Sequence, residues 1–88
     1  MQLSFTPIGW THYLYLLQHE PKSLLRLNDL INECLRHPFK GTGKPEPLKG
    51  NWSGWWSRRI TSEHRLVYRV TGKGAEQRLE IAQCRYHY

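Results

Sequence analysis

The pattern of apolar residues predicts an α+β fold, with two N-terminal antiparallel helices packed on one face of a small, mainly antiparallel β-sheet. Three features of the chain carry that prediction. Apolar residues recur at helical spacing between positions 10 and 35, segments rich in aromatic and β-branched residues follow position 54, and a Pro/Gly-rich stretch separates the two regions. Eighty-eight residues, 39% hydrophobic and 12% aromatic, are enough for one core and too few for two, so a single domain over 1–88 is expected.

A short strand is expected at Gln2 to Phe5. Thr6 then supplies an N-cap oxygen, and Pro7 suits the first helical position, where its missing N–H costs nothing. Trp10, Tyr13, Leu14 and Leu17 stand at i, i+3, i+4 and i+7, one apolar stripe of a first helix. Pro21 marks a break and a second start. Leu24, Leu27, Ile31 and Leu35 repeat at steps of three and four until His37–Pro38 ends the second helix. Pro38 to Gly54 reads as loop, with a short pairing segment near Leu48. Strands are expected at Trp55 to Ile60, Leu66 to Thr71 and Leu79 to Cys84, with Thr71–Gly72–Lys73–Gly74 as a hairpin connection.

Charge is unevenly placed along the chain. The net formal charge is +6, and all of it lies in residues 40–88, since the acidic and basic residues of 1–39 cancel. A one-sided positive field suits a phosphate backbone, an anionic membrane or an acidic protein partner; an ordinary soluble basic surface is the plain alternative. Cys34 and Cys84 have no paired spacing, and Met1 to Trp10 lacks the basic and long apolar segments of a secretory signal. No run reaches membrane-spanning length. A reduced, cytoplasmic protein with no membrane association is expected.

Cleaving RNA without a metal requires a base for the ribose 2′-OH, an acid for the leaving 5′-oxygen, and fixed cations for the charge on phosphorus. The basic half contains candidates for each. Glu46 lies between Pro45 and Pro47, which stiffen its backbone, and beside Lys44 and Lys49. A solvated loop glutamate is the competing reading. Strict alternation from Arg65 puts Leu66, Tyr68 and Val70 toward the helices, and Arg65, Val67 and Arg69 on the open face. Arg58 or Arg59 of the neighbouring strand would join them there. His87 titrates near neutrality, and Tyr88 offers a ring for stacking; a frayed tail is the competing reading.

These residues also carry a resemblance. The runs Gly43–Lys44–Pro45–Glu46–Pro47–Leu48, Ser57–Arg58–Arg59–Ile60 and Glu63–His64–Arg65–Leu66–Val67–Tyr68, with the ending Cys84–Arg85–Tyr86–His87–Tyr88, resemble the YoeB/Txe toxins of the RelE superfamily. The resemblance covers essentially the whole chain. It implies a type II toxin that enters the ribosomal A site and cuts mRNA, leaving a 2′,3′-cyclic phosphate and a 5′-OH with no cofactor. In that family's terms Glu46 is the general base, Arg65 the transition-state arginine, His87 the general acid and Tyr88 a positioning residue. Lys44, Lys49, Arg58 and Arg59 are expected RNA or ribosome contacts. Implied partners are a YefM-type antitoxin, the 70S ribosome with its mRNA and a second copy of the toxin, with operator DNA reached through the antitoxin alone. The Gly72 to Gln77 hairpin is longer than the family leads one to expect.

Two rival functions fit the same charge. A non-catalytic nucleic-acid binder explains the cations but not Glu46, because a carboxylate weakens phosphate binding. A gyrase-inhibiting ParE-like toxin shares the architecture without needing Glu46 and His87 together. A zinc site at His64, Cys84 and His87 has no supporting spacing.

Overall fold

A computed structural model of the chain describes residues Met1–Tyr86. Strand β1 (Gln2–Phe5) leads into helix α1 (Pro7–His19), and Glu20 alone links it to helix α2 (Pro21–Arg36). Strands β2 (Glu46–Pro47), β3 (Trp56–Arg59), β4 (Arg65–Thr71) and β5 (Arg78–Gln83) follow. They form one sheet in the order β1-β5-β4-β3-β2, in which β1 runs parallel to β5 and every other neighbouring pair is antiparallel.

The helix starts are those the sequence predicts. Thr6 Oγ1 accepts the Gly9 N–H at 3.0 Å and donates to the Ala82 carbonyl at 2.9 Å, so one hydroxyl caps α1 and ties it to β5. Both helices begin on proline. Tyr13 donates to Asn28 Oδ1 at 2.9 Å. These residues lie seven before and eight after Glu20, as two antiparallel helices folded back at that residue require.

The predicted face of α1 is wrong. Trp10 and Leu17 are 48% and 52% exposed, while Gly9 and Leu16 are buried. Apolar and aromatic side chains surround α1, so periodicity alone selects no stripe. Close approach to the sheet selects it instead: a Cβ on Gly9 would stand 2.6 Å from the Ile81 carbonyl oxygen. Helix α2 buries Leu24, Leu27 and Ile31 as expected and adds Leu30 and Cys34, while Leu35 is only partly buried against the core. These pack with Leu16, Ile60, Leu66, Tyr68, Leu79 and Ile81 in one core between the helices and the sheet.

Strand register sorts the remaining side chains, because residues directly opposite each other share a face. Tyr68 opposite Trp56 and Ile81, and Leu66 opposite Arg58, place all five on the helix-covered face. The other face carries Glu46, Ser57, Arg59, Arg65, Val67 and Arg69. Its centre is closed: Val67 and Ser57 are buried, contrary to an open position for Val67. Pairing between β4 and β5 slips next to Val67, where Ala82 has no direct partner, and Ala82 is buried as well.

Candidate active site

Glu46 sits on edge strand β2, opposite Ser57, and its side chain is exposed. The short pairing falls at Glu46–Pro47, next to the Leu48 that the sequence suggested; Leu48 N–H adds a bond to the Trp55 carbonyl at 2.9 Å. Proline on an edge strand leaves its missing donor facing water. Arg59 is exposed and lies directly opposite Arg65. Opposed residues have Cβ atoms about 5 Å apart, so two guanidinium stems rise side by side, an arrangement that repels unless an anion or nearby acceptors offset it. Two strand spacings and two residue rises put Glu46 and Arg65 about 12 Å apart at Cα, on the same face as the Ser57–Val67 pair between them.

The Arg65 guanidinium is partly fixed already. Nη1 donates to the carbonyls of Thr61 at 2.8 Å and His64 at 3.1 Å, so the 61–64 turn offsets part of its charge and sets its direction. Its backbone N–H donates to the Tyr86 carbonyl at 3.0 Å. That bond continues the sheet beyond β5 and brings the tail to Arg65. His87 and Tyr88, the predicted acid and positioning residue, lie outside the described residues.

Several side chains hold Cys84 to Tyr86. The Cys84 N–H donates to His12 Nδ1 at 3.2 Å, and the Arg85 guanidinium lies 3.3 Å over the Tyr15 ring and 4.3 Å over the Tyr86 ring. The Tyr86 N–H donates to His64 Nδ1 at 2.9 Å. Tyr86 takes φ +64°, a left-handed conformation that costs a bulky residue of order 1–3 kcal/mol and persists where surrounding bonds hold it. Burial first, then the nearby Arg85 guanidinium, keeps the His12 imidazole below its ordinary range.

Lys44 and Lys49 are exposed on either side of Glu46. Arg58 is not. It is fully buried, because alternation along β3 turns it to the face opposite Arg59. Nη2 donates to the carbonyls of His37 and Lys40, and Nη1 to that of Thr42 at 3.0 Å. Nε meets the Tyr68 hydroxyl at 3.2 Å, which itself donates to the Pro38 carbonyl, and Glu33 lies 3.6 Å away. Arg58 therefore organises the 37–42 loop and is withdrawn from the list of phosphate contacts. Burial raises the Tyr68 phenol to about 12 despite that guanidinium. Hydrogen bonds from Thr42 hold the partly buried Glu33 carboxyl below its usual range, with smaller help from Arg58 and Arg36.

Sequence reasoning missed the pairing of His64 with Glu20. His64 is 2% exposed, with Nε2 3.1 and 3.2 Å from the two Glu20 carboxylate oxygens. The one available signal was the Glu-His-Arg run, read above for Arg65 alone. Arg69 also departs from a free cation: it pairs with Glu80 at 2.7 Å and covers the Trp55 ring at 4.4 Å. Among the described residues no three His, Cys, Asp or Glu side chains cluster as metal ligands, and no helix is long and apolar enough to cross a membrane.

Known proteins share this arrangement. Residues 5–88 match the family described as YoeB-like toxin of bacterial type II toxin-antitoxin system. Toxin YoeB of Synechocystis is 52% identical, with 100% of this chain and 98% of that protein covered. Toxin YoeB of Escherichia coli is 51% identical with 100% of both covered. Among solved structures, the YoeB/ParE toxin from Agrobacterium tumefaciens superposes with a TM-score of 0.96 at 53% identity, covering 100% of both chains. A heterotetrameric YoeB–YefM toxin–antitoxin complex from Staphylococcus aureus matches with a TM-score of 0.86 at 39% identity, over 100% of this chain and 98% of that one. A YoeB dimer from the same organism gives 0.87 at 39% identity, with the same coverage. With half its residues identical to such relatives over their full length and a shared fold, this chain belongs to the YoeB-like toxins of bacterial type II toxin–antitoxin systems.

Proposed function

We propose that this toxin is an endoribonuclease that cuts mRNA in the ribosomal A site by general acid–base chemistry, with no metal cofactor. The observation that carries the reading is the strand register, which gathers Glu46, Arg59 and Arg65 on one face while the Tyr86 carbonyl is bonded at Arg65. Glu46 takes the proton from the 2′-OH, which then attacks phosphorus. Arg65, aimed by the carbonyls of residues 61 and 64, meets the charge that grows on the phosphoryl oxygens. His87 gives a proton to the departing 5′-oxygen, and Tyr88 positions the substrate. The Tyr86 carbonyl bonded at Arg65 supports that assignment, because His87 is the next residue in the sequence. Lys44, Lys49 and Arg59 hold adjoining phosphates.

Exposure argues for the ribosome. Glu46 and Arg59 stand in water with no walls to orient a flexible RNA. An mRNA already fixed by the decoding site removes that ordering requirement, which is where much catalytic advantage lies. A cytoplasmic location goes with that reading. The partner that silences it is a YefM-type antitoxin whose acidic segment is drawn to the positive half of the chain. A homodimer like the relative's, and operator DNA bound through the antitoxin, complete the assembly.

The test is cleavage of mRNA on programmed 70S ribosomes, with chemical analysis of the new ends: attack by the 2′-OH leaves a 2′,3′-cyclic phosphate and a 5′-OH. Glu46→Ala and His87→Gln should each slow cleavage by about 10²-fold or more. A 5′-phosphate and 3′-OH product, or undiminished cleavage in both variants, would overturn the mechanism. No cleavage by the parent protein together with blocked gyrase supercoiling would move the assignment to a ParE-like action.

A further inference from the structure

The mechanism leaves the buried His64–Glu20 pair unused, and the bonds around it run in one line toward the catalytic tail. Glu20 is held at both backbone ends: its N–H donates to the Leu16 carbonyl at 2.8 Å, and its carbonyl accepts the Leu24 N–H at 3.0 Å. Its carboxylate also accepts from the Ser23 hydroxyl at 3.2 Å. The residue that joins the two helices is thus a rigid anchor. Across 3.1 Å lies His64 Nε2. Because His64 Nδ1 receives an amide N–H from Tyr86, its lone pair is on Nδ1 and its proton is on Nε2, directed at Glu20. The His64 backbone is immobilised as well, its N–H bonded to Thr61 Oγ1 and its carbonyl accepting from Ile60 N–H and Arg65 Nη1.

We propose that Glu20 and His64 are a positioning dyad that sets the direction in which the chain leaves Tyr86, and thereby the pose of the catalytic end. The proposal rests on the nuclease reading above. Consecutive residues grip both polar atoms of one peptide unit's residue: His64 the Tyr86 N–H, Arg65 the Tyr86 carbonyl. That two-point hold sustains the left-handed φ of Tyr86, so the orientation of its successor depends on the imidazole acceptor. His12 and Tyr15 hold the preceding residues independently. Losing the His64 contact therefore redirects the end of the chain without releasing it.

Two substitutions separate the dyad's halves. In His64→Asn, Oδ1 replaces Nδ1 as acceptor for Tyr86 and contact with Glu20 is lost. In His64→Gln, the amide reaches Glu20 and the acceptor at the δ position is lost. On programmed ribosomes, His64→Gln should lower kcat on the order of 10²-fold with KM unchanged, and His64→Asn should keep kcat within about tenfold. The double variant Glu20→Ala/His64→Gln should be no slower than His64→Gln alone, as for residues acting through one contact. Parental kcat in His64→Gln, or equal losses in Gln and Asn, would overturn the dyad. Amide hydrogen exchange at Tyr86 decides the point without any cleavage: protection should vanish in Gln and survive in Asn. If the parent protein does not cut RNA the nuclease reading falls, whereas undiminished Tyr86 protection in Gln removes the dyad.

Discussion

Replacing Arg58 by leucine distinguishes a buried organiser from a phosphate contact. The guanidinium donates to three loop carbonyls and to the Tyr68 hydroxyl while wholly out of water. Leaving buried partners unpaired costs about 1–3 kcal/mol for each group, and removing one member of a buried ion pair costs about 3–5 kcal/mol. Part of this is recovered here, because His37, Lys40 and Thr42 are exposed and water can reach their carbonyls, while Glu33 is only partly buried. A net loss of about 3–4 kcal/mol follows from the lower ends of those ranges. For a domain of this size each kcal/mol moves the thermal midpoint by about 4–8 °C, so the midpoint should fall by roughly 12–30 °C in calorimetry. Arg59→Ala, exposed on the opposite face, should stay within about 0.5 kcal/mol of the parent. An Arg58→Leu protein that melts within 3 °C of the parent (less than about 1 kcal/mol) yet fails to bind programmed ribosomes would refute the structural assignment and restore Arg58 to the RNA surface.

Two further outcomes follow from contacts at helix α1. Alanine normally stabilises a helix interior relative to glycine by about 1 kcal/mol, but Gly9→Ala should destabilise by about 1–3 kcal/mol, because its Cβ meets the Ile81 backbone oxygen at 2.6 Å; a raised thermal midpoint would reject that packing. The lowered His12 value means that the unfolded chain takes up this proton at higher pH than the folded one. Its contribution is therefore complete above about pH 6.5 and is lost as pH falls below that value, so stability of the parent should drop more steeply from pH 7.5 to 5 than that of His12→Asn, which keeps an acceptor for Cys84 without titrating. Equal slopes would remove His12 from the account.

Local chemistry made most of the architecture legible. Thr6–Pro7, Pro21 and His37–Pro38 bound the helices where backbone and capping rules require, and the alternation of Leu66, Tyr68 and Val70 identified the covered side of β4. What stayed hidden depends on partners far away in sequence. The face of α1 is chosen by Gly9 against Ile81, seventy-two residues on, and nothing near Gly9 announces it. Arg58 and Arg59 look equivalent as a pair of cations, but neighbours on a strand must point to opposite sides. Alternation already separated them; which one faced the helices awaited the register with Leu66 and Arg65. Glu46 and Arg65 were readable as chemistry, and their shared face became visible once β2 was seen to pair with β3. His64 enters the sequence reading only as a candidate zinc ligand, because the carboxylate it meets lies forty-four residues earlier.

The parallel union of β1 with β5 has a consequence for biosynthesis. A ribosome makes Gln2–Phe5 first, and its pairing partner, Arg78–Gln83, is translated more than seventy residues later. Until then α1 has no floor to lie on, since Thr6 and Gly9 both dock against Ile81–Ala82. Parallel pairing across so long a chain closes slowly, so the fold completes late. The segment that reaches Arg65 follows β5 directly, so the face proposed for catalysis is finished by the same late event.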